Sequence, residues 1–173
     1  MKHNRRQFLG AIGATVIAQP VLSAEAKKAE ANLGDRVLKH FHGGKGQSCA
    51  EAMLCAGLEY LGEPEELVRM ATPFGGGMHM GDHCGFYCAG LVVIGLACAG
   101  RDDGKKLVNQ LTGKYTEDWK KKRSLLCREI RKGQPSGDHK GCAKVGRDAG
   151  EVLDKLLCEI ADSSKRARFA RRS

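Results

Sequence analysis

Apolar residues recur at helical spacing along most of this chain, and clean strand-like alternation is nearly absent. Leu33, Val37, Leu38 and Phe41 predict a first helix over Ala29 to Phe41, broken by Gly43-Gly44-Lys45-Gly46. Ser48 and Glu51 form a capping-box pattern for a second helix, which runs to Leu61 before Gly62. Pro64 suits the first turn of a short third helix, Glu65 to Ala71. A glycine-rich loop, Phe74 to His83, comes next. The run from Cys84 to Ala99 has no charged side chain. A helix apolar all round is buried or in lipid. This run is shorter than the ~20 residues a bilayer requires, so it reads as the central core helix. Gly85, Gly90 and Gly95 recur within it, each costing about 1 kcal/mol relative to alanine. Their pattern points to close approach of neighbouring helices or of a cofactor.

Lys105 to Lys122 is amphipathic, with Leu107, Val108, Leu111, Tyr115 and Trp119 on one side. Ser124 can cap a short helix that carries Cys127 and ends near Gly133. Gln134 to Lys140 is a polar loop. The last helix runs from Cys142 to about Asp162, with Val145, Ala149, Val152, Leu153, Leu156 and Ile160 on its core face. The expected fold is therefore a single compact all-α domain of six or seven helices around a buried glycine-rich central helix.

The N-terminal residues read as an export signal rather than as part of that fold. Asn4-Arg5-Arg6-Gln7-Phe8-Leu9-Gly10 matches the twin-arginine pattern, an apolar stretch to Leu22 follows, and Ala24-Glu25-Ala26 offers small residues for cleavage after Ala26. A retained signal anchor is the alternative. The division expected is residues 1–26 as signal, 27–162 as a helical cysteine-rich redox domain, and 163–173 as a basic tail. The route delivers folded proteins, often with a cofactor already inserted, to a periplasmic or other extracytoplasmic location. It therefore tilts the cysteines toward a metal or cluster.

Charge changes the picture little. The formal net charge is +9. Cleavage removes Lys2, Arg5, Arg6 and Glu25, which lowers it to +7. Lys165, Arg166, Arg168, Arg171 and Arg172 carry five of those charges, leaving about +2 on the body. The tail reads as a solvated, frayed terminus, or as a contact for an acidic redox partner or an anionic membrane surface. Few aromatics and an exported chain argue against nucleic acid.

The chemistry lies in the eight cysteines. Cys49, Cys84, Cys127 and Cys142 each sit at or just after a helix-start signal. Free N–H groups and the helix dipole at such a position favour thiolate over thiol, the form that attacks disulfides and binds metals. Cys55 and Cys98 lie inside apolar helices and read as small buried hydrophobes. Cys158 falls off its helix's apolar face, exposed or facing a second subunit of a homodimer. Cys88 stands one turn after Cys84 and is a candidate fifth ligand, a resolving thiol or a packing residue. No local CxxC pair, zinc spacing or CxxCH occurs, so covalent c-type haem is not expected. His79 and His83 flank the glycine loop, and His40 and His42 adjoin the other; each reads as a loop histidine bonded to backbone or water, with His83 the one candidate near a cysteine. No phosphate loop, Ser/His/Asp set or carboxylate pair argues for hydrolysis or phosphoryl transfer.

Taken in order, several segments resemble the redox-active family named for its C-GCAxxG-C-C motif. They are Gly46-Gln47-Ser48-Cys49-Ala50-Glu51-Ala52, Phe74-Gly75-Gly76-Gly77-Met78, Cys84-Gly85 with Gly90 and Ile94-Gly95-Leu96, Cys127-Arg128-Glu129, and Cys142. The resemblance spans about Val37 to Leu157. That family is similar to the cluster-bearing part of split-Soret cytochromes c, which carry haem and an iron–sulfur centre. The resemblance implies an iron–sulfur cluster, of unspecified type, on Cys49, Cys84, Cys127 and Cys142, with Cys88 in doubt. The expectation is an electron carrier or accessory redox protein rather than a stand-alone enzyme, serving an unidentified redox partner protein. Two alternatives stay open. One is a thiol–disulfide protein with Cys84 as nucleophile and Cys49, Cys88 or Cys142 resolving. The other is a domain stapled by two disulfides or one zinc ion.

Overall fold

Helix α1 covers Leu33–His42 and α2 covers Cys49–Leu61. A 3-10 helix, Glu65–Phe74, and a π-type turn, Gly77–Gly81, lead into α3, Gly85–Cys98. Then come α4, Gly104–Lys122, the single turn α5, Cys127–Ile130, and the long α6, Lys140–Ala170. These elements belong to a computed structural model that describes residues 32–42, 47–134 and 140–170, with side chains except at 42 and from 162 onward. The expected signal segment, the glycine break after α1 and most of the polar loop before α6 lie outside the described residues. Among the described residues there is no strand, only one antiparallel bridge between His83 and Leu126. The fold is a single all-α domain.

Local chemistry sets the helix ends. The Ser48 hydroxyl accepts from the Glu51 amide at 3.3 Å, and the Glu51 carboxylate accepts from the Ser48 amide at 2.8 Å. This reciprocal cap starts α2, and Gly62 ends it in a left-handed conformation at φ 74°. At α1, Asn32 Oδ1 accepts from the Asp35 amide at 2.9 Å and caps the helix that begins at Leu33; residues 29–31 of the expected helix lie outside the described residues. The segment after Pro64 winds as a 3-10 helix and continues past Ala71 through Pro73 to Phe74. Thr72 ties it to α2 by donating to Glu51 Oε1 at 2.6 Å. Ser124 does not cap α5, which Leu126 precedes; its hydroxyl instead accepts from the Leu126 amide at 3.1 Å.

Leu33, Val37, Met53, Leu54, Phe86, Val93, Ile94, Leu111, Tyr115, Trp119 and Leu153 fill the core. Helix α3 packs against α2, α4 and α6. Glycines set how closely the helices approach. A Cβ on Gly57 would meet Val93, one on Gly90 would meet the Tyr115 hydroxyl, and one on Gly146 would lie 2.6 Å from the Phe86 ring. Gly34 and Gly150 let α1 and α6 cross almost backbone to backbone. Gly95 differs: nothing lies within 4 Å of its added Cβ. It belongs to a flank of α3, with Leu91, Val92 and Leu96, that is only partly buried. Helix α6 runs past the expected end at Asp162 to Ala170, so residues 163–170 of the expected tail have helical backbone. No helix of the described residues is long and apolar enough to cross a membrane.

Candidate metal centre

Backbone pairing brings two of the helix-start cysteines together. The Cys84 amide donates to Leu125 O at 2.8 Å, and the Cys127 amide donates to Asp82 O at 2.7 Å. These bonds flank the His83–Leu126 bridge and lay the start of α3 against the start of α5. Cys84 is the residue just before α3, and Cys127 is the first residue of α5. Cys49, the first residue of α2, reaches the same place: a Cβ on Gly85 would stand 2.6 Å from its sulfur.

The glycine loop closes over these starts. A Cβ on Gly77 would lie 2.7 Å from Cys127 Cβ, and one on Gly75 would lie 3.0 Å from Ser48 Cβ. Gly76, Gly77, Met78 and His79 form a left-handed turn, with φ of 60°, 68°, 55° and 59°. Only glycine adopts that conformation readily, so Met78 and His79 carry strain.

Burial overrides the helix starts in setting thiol acidity. Desolvation pushes the Cys84 thiol well above the ordinary cysteine range, and the nearby Cys49 and Cys127 add to the rise. The Phe86 and Tyr87 amides act in the opposite direction without closing a hydrogen bond of standard geometry to the sulfur. Burial also raises Cys88, with contributions from Cys49 and Asp82, and Cys127, with a contribution from Cys49. The expected lowering by helix dipoles is therefore reversed at Cys84 and Cys127. A dipole contributes on the order of 1 kcal/mol, less than the cost of holding a thiolate in an apolar surrounding.

Cys49, Cys84, Cys88 and Cys127 thus form one electrostatically coupled group. Cys142 lies in the first turn of α6, half-buried and packed on the core. Gly146, one turn further on the same face, receives Phe86, which places the start of α6 near the start of α3. Cys98 is buried as expected, and Cys158 is exposed, with its sulfur 3.8 Å from the Tyr60 hydroxyl. None of the eight cysteines is joined in a disulfide. His83 is half-exposed, 3.1 Å from Asp82 and stacked on Tyr87. His79 is exposed. His40 corrects the sequence reading: it is buried on α1 and bonds Glu59 Oε1 at 2.9 Å, not backbone or water.

Among the described residues, four buried side-chain polar atoms find no hydrogen-bond partner: Gln47 Oε1, Tyr115 OH, Arg131 Nε and Gln134 Oε1. All four stand beside the cysteine helix starts. Gln47 lies two residues before Cys49. Tyr115 is close enough to Cys84 and Cys88 for their charges to raise its pKa, although burial is the largest cause. Arg131 acts on Cys127. Gln134 packs on Gly141, which precedes Cys142. Unpartnered buried groups are costly, about 1–3 kcal/mol each. Two of them, the Tyr115 hydroxyl and the Arg131 Nε–H, are donors, and the Tyr115 hydroxyl lies against Gly90 of α3. A nearby surface pocket, lined by Lys122, Arg123, Glu129, Lys144 and Asp148, holds no cysteine.

An all-α, cysteine-rich domain with thiols gathered at helix starts is the class these features define. Over residues 47–156 the chain matches the family described as "Putative redox-active protein (C_GCAxxG_C_C)", and it belongs to that family. Comparison with curated proteins gives no match, and comparison with solved structures gives none. The matched span includes Cys49, Cys84, Cys88, Cys127 and Cys142, and leaves out His40 and Cys158.

Proposed function

We propose that this redox-family member carries an iron–sulfur centre on Cys49, Cys84, Cys127 and Cys142, and that it transfers electrons for a partner protein outside the cytoplasm. The observation that carries the reading is the coupling of Cys49, Cys84 and Cys127 at adjoining helix starts, with unpartnered polar atoms of Tyr115 and Arg131 nearby. Four thiolates match the ligand count of common two-iron and four-iron clusters, which accept and release single electrons when bound. Buried thiols with raised pKa values make poor nucleophiles in the absence of metal, and a bound metal drives off their protons. Tyr115 and Arg131 would then donate to cluster or cysteine sulfur, which raises the reduction potential. Cys88, half-buried like Cys49 and Cys142 and coupled to Cys49, is assigned on the family resemblance as a fifth thiol outside the ligand set.

The thiol–disulfide alternative is the weaker reading, because Cys84, its expected nucleophile, is buried and held as the thiol. The twin-arginine segment supports delivery of the folded, loaded protein, and the basic tail supports contact with an acidic partner or membrane surface.

Iron and acid-labile sulfide analysis of anaerobically purified protein, with its absorption spectrum, tests the proposal. Iron and sulfide with a visible chromophore are expected. Serine at Cys49, Cys84, Cys127 or Cys142 should abolish that chromophore, while Cys88→Ser should keep it. Colourless, iron-free protein would end the iron–sulfur reading.

A further inference from the structure

Away from the helix-start cysteines, His40 on α1 faces Cys55 and Glu59, which stand one turn apart on α2. One donor atom from each lies within 4.8 Å of the other two. Cys55 is 2% exposed and His40 9%, while the Glu59 side chain is 38% exposed and opens the group to solvent. Glu59 Oε1 is 2.9 Å from His40 Nε2, and its other oxygen is 3.6 Å from Arg36 Nη1.

We propose that His40, Cys55 and Glu59 form a second, independent site for a zinc-type divalent cation, with water as its fourth ligand. Imidazole nitrogen, thiolate sulfur and carboxylate oxygen are the donors zinc takes. At ordinary zinc–ligand distances, tetrahedral donors stand roughly 3.3–3.6 Å apart, so the three atoms need to close by little more than 1 Å. Side-chain rotation on two packed helices supplies that. The cation replaces the His40–Glu59 hydrogen bond. His40 binds as neutral imidazole, and Cys55 binds as thiolate after releasing its proton to solvent. Arg36 steadies the second oxygen of Glu59 from outside, as partners of metal-bound carboxylates do. Bridging α1 to α2, the site would be structural.

Cobalt(II) titration of the full, reduced protein under anaerobic conditions tests this, followed by displacement with zinc. Besides any cobalt taken up by the helix-start thiols, the wild-type chain should bind one further ion, with a single-thiolate charge-transfer band, that His40→Ala, Cys55→Ala and Glu59→Gln each lose or bind at least tenfold more weakly. Removal of buried groups can unfold a chain, so helical circular dichroism is recorded for each variant. Glu59→Gln changes only the exposed ligand, keeps its packing and carries the test alone. Cobalt stoichiometry and affinity in Glu59→Gln equal to wild type would overturn the proposal.

Discussion

His79 holds its backbone at φ 59°, where a Cβ is crowded by the following carbonyl, and its side chain is exposed. Glycine at that position removes the strain and loses no buried contact. His79→Gly should stabilise the protein by about 1 kcal/mol, read as a higher midpoint in urea with unchanged slope. Glu51 makes a different single-residue contribution. Its pKa is lowered first by the Thr72 hydroxyl and then by the Ser48 amide, with burial acting weakly against them. A carboxylate whose folded pKa is depressed contributes stability that is complete above its unfolded pKa, near 4.3. That contribution disappears as pH falls below this value and through the folded pKa. Thr72→Val should therefore lower stability at pH 7 and flatten the acid limb below about pH 4.3, measured by chemical denaturation across pH.

The glycines of α3 show how position within one element decides the sign of a substitution. Gly90 receives the hydroxyl end of the buried Tyr115, so Gly90→Ala must displace that ring and its stack on Tyr87 at 5.8 Å. A loss of about 1–3 kcal/mol is expected. Gly95→Ala adds a methyl group to open space on a helix and should gain up to about 1 kcal/mol. Thermal unfolding of the two variants should move in opposite directions; a loss in both would mean that Gly95 is covered in the native protein. The same contrast explains what could be read from sequence. Helix α2 was fully legible because its limits are set by Ser48, Glu51 and Gly62, residues that act on their own backbone. The 3-10 course of Glu65–Phe74 was not legible; near its end Thr72 bonds Glu51 in another element, a contact that sequence spacing does not announce. The glycine repeat announced close packing, but sequence spacing could not tell Gly90, which faces Tyr115, from Gly95, which faces outward.

At the scale of the molecule, the grouping of Cys49, Cys84, Cys88 and Cys127 follows from the fold: a glycine loop and one short backbone bridge bring together the starts of α2, α3 and α5. Helix-start signals pointed to the cysteines one by one. They could not give the burial that reverses the expected acidity of Cys84, nor the pairing of Cys55 with His40 across two helices. That reversal gives the metal-free and loaded proteins opposite responses to pH. Without metal, folded Cys84, Cys88 and Cys127 keep their protons above the pH at which unfolded thiols, near 8.5, ionise. Their folded pKa values lie above the unfolded ones, so their contribution is complete below about pH 8.5 and is lost as pH rises toward the folded values. With metal bound, the ligating thiols have already given up their protons. Stability then falls in the acidic direction, where protons compete with metal for sulfur. Urea midpoints for the loaded protein should hold between pH 7 and pH 10, while those of the metal-free protein decline, and Cys84→Ala should reduce that decline. Parallel pH curves for the two forms would show that these thiols do not bind the metal.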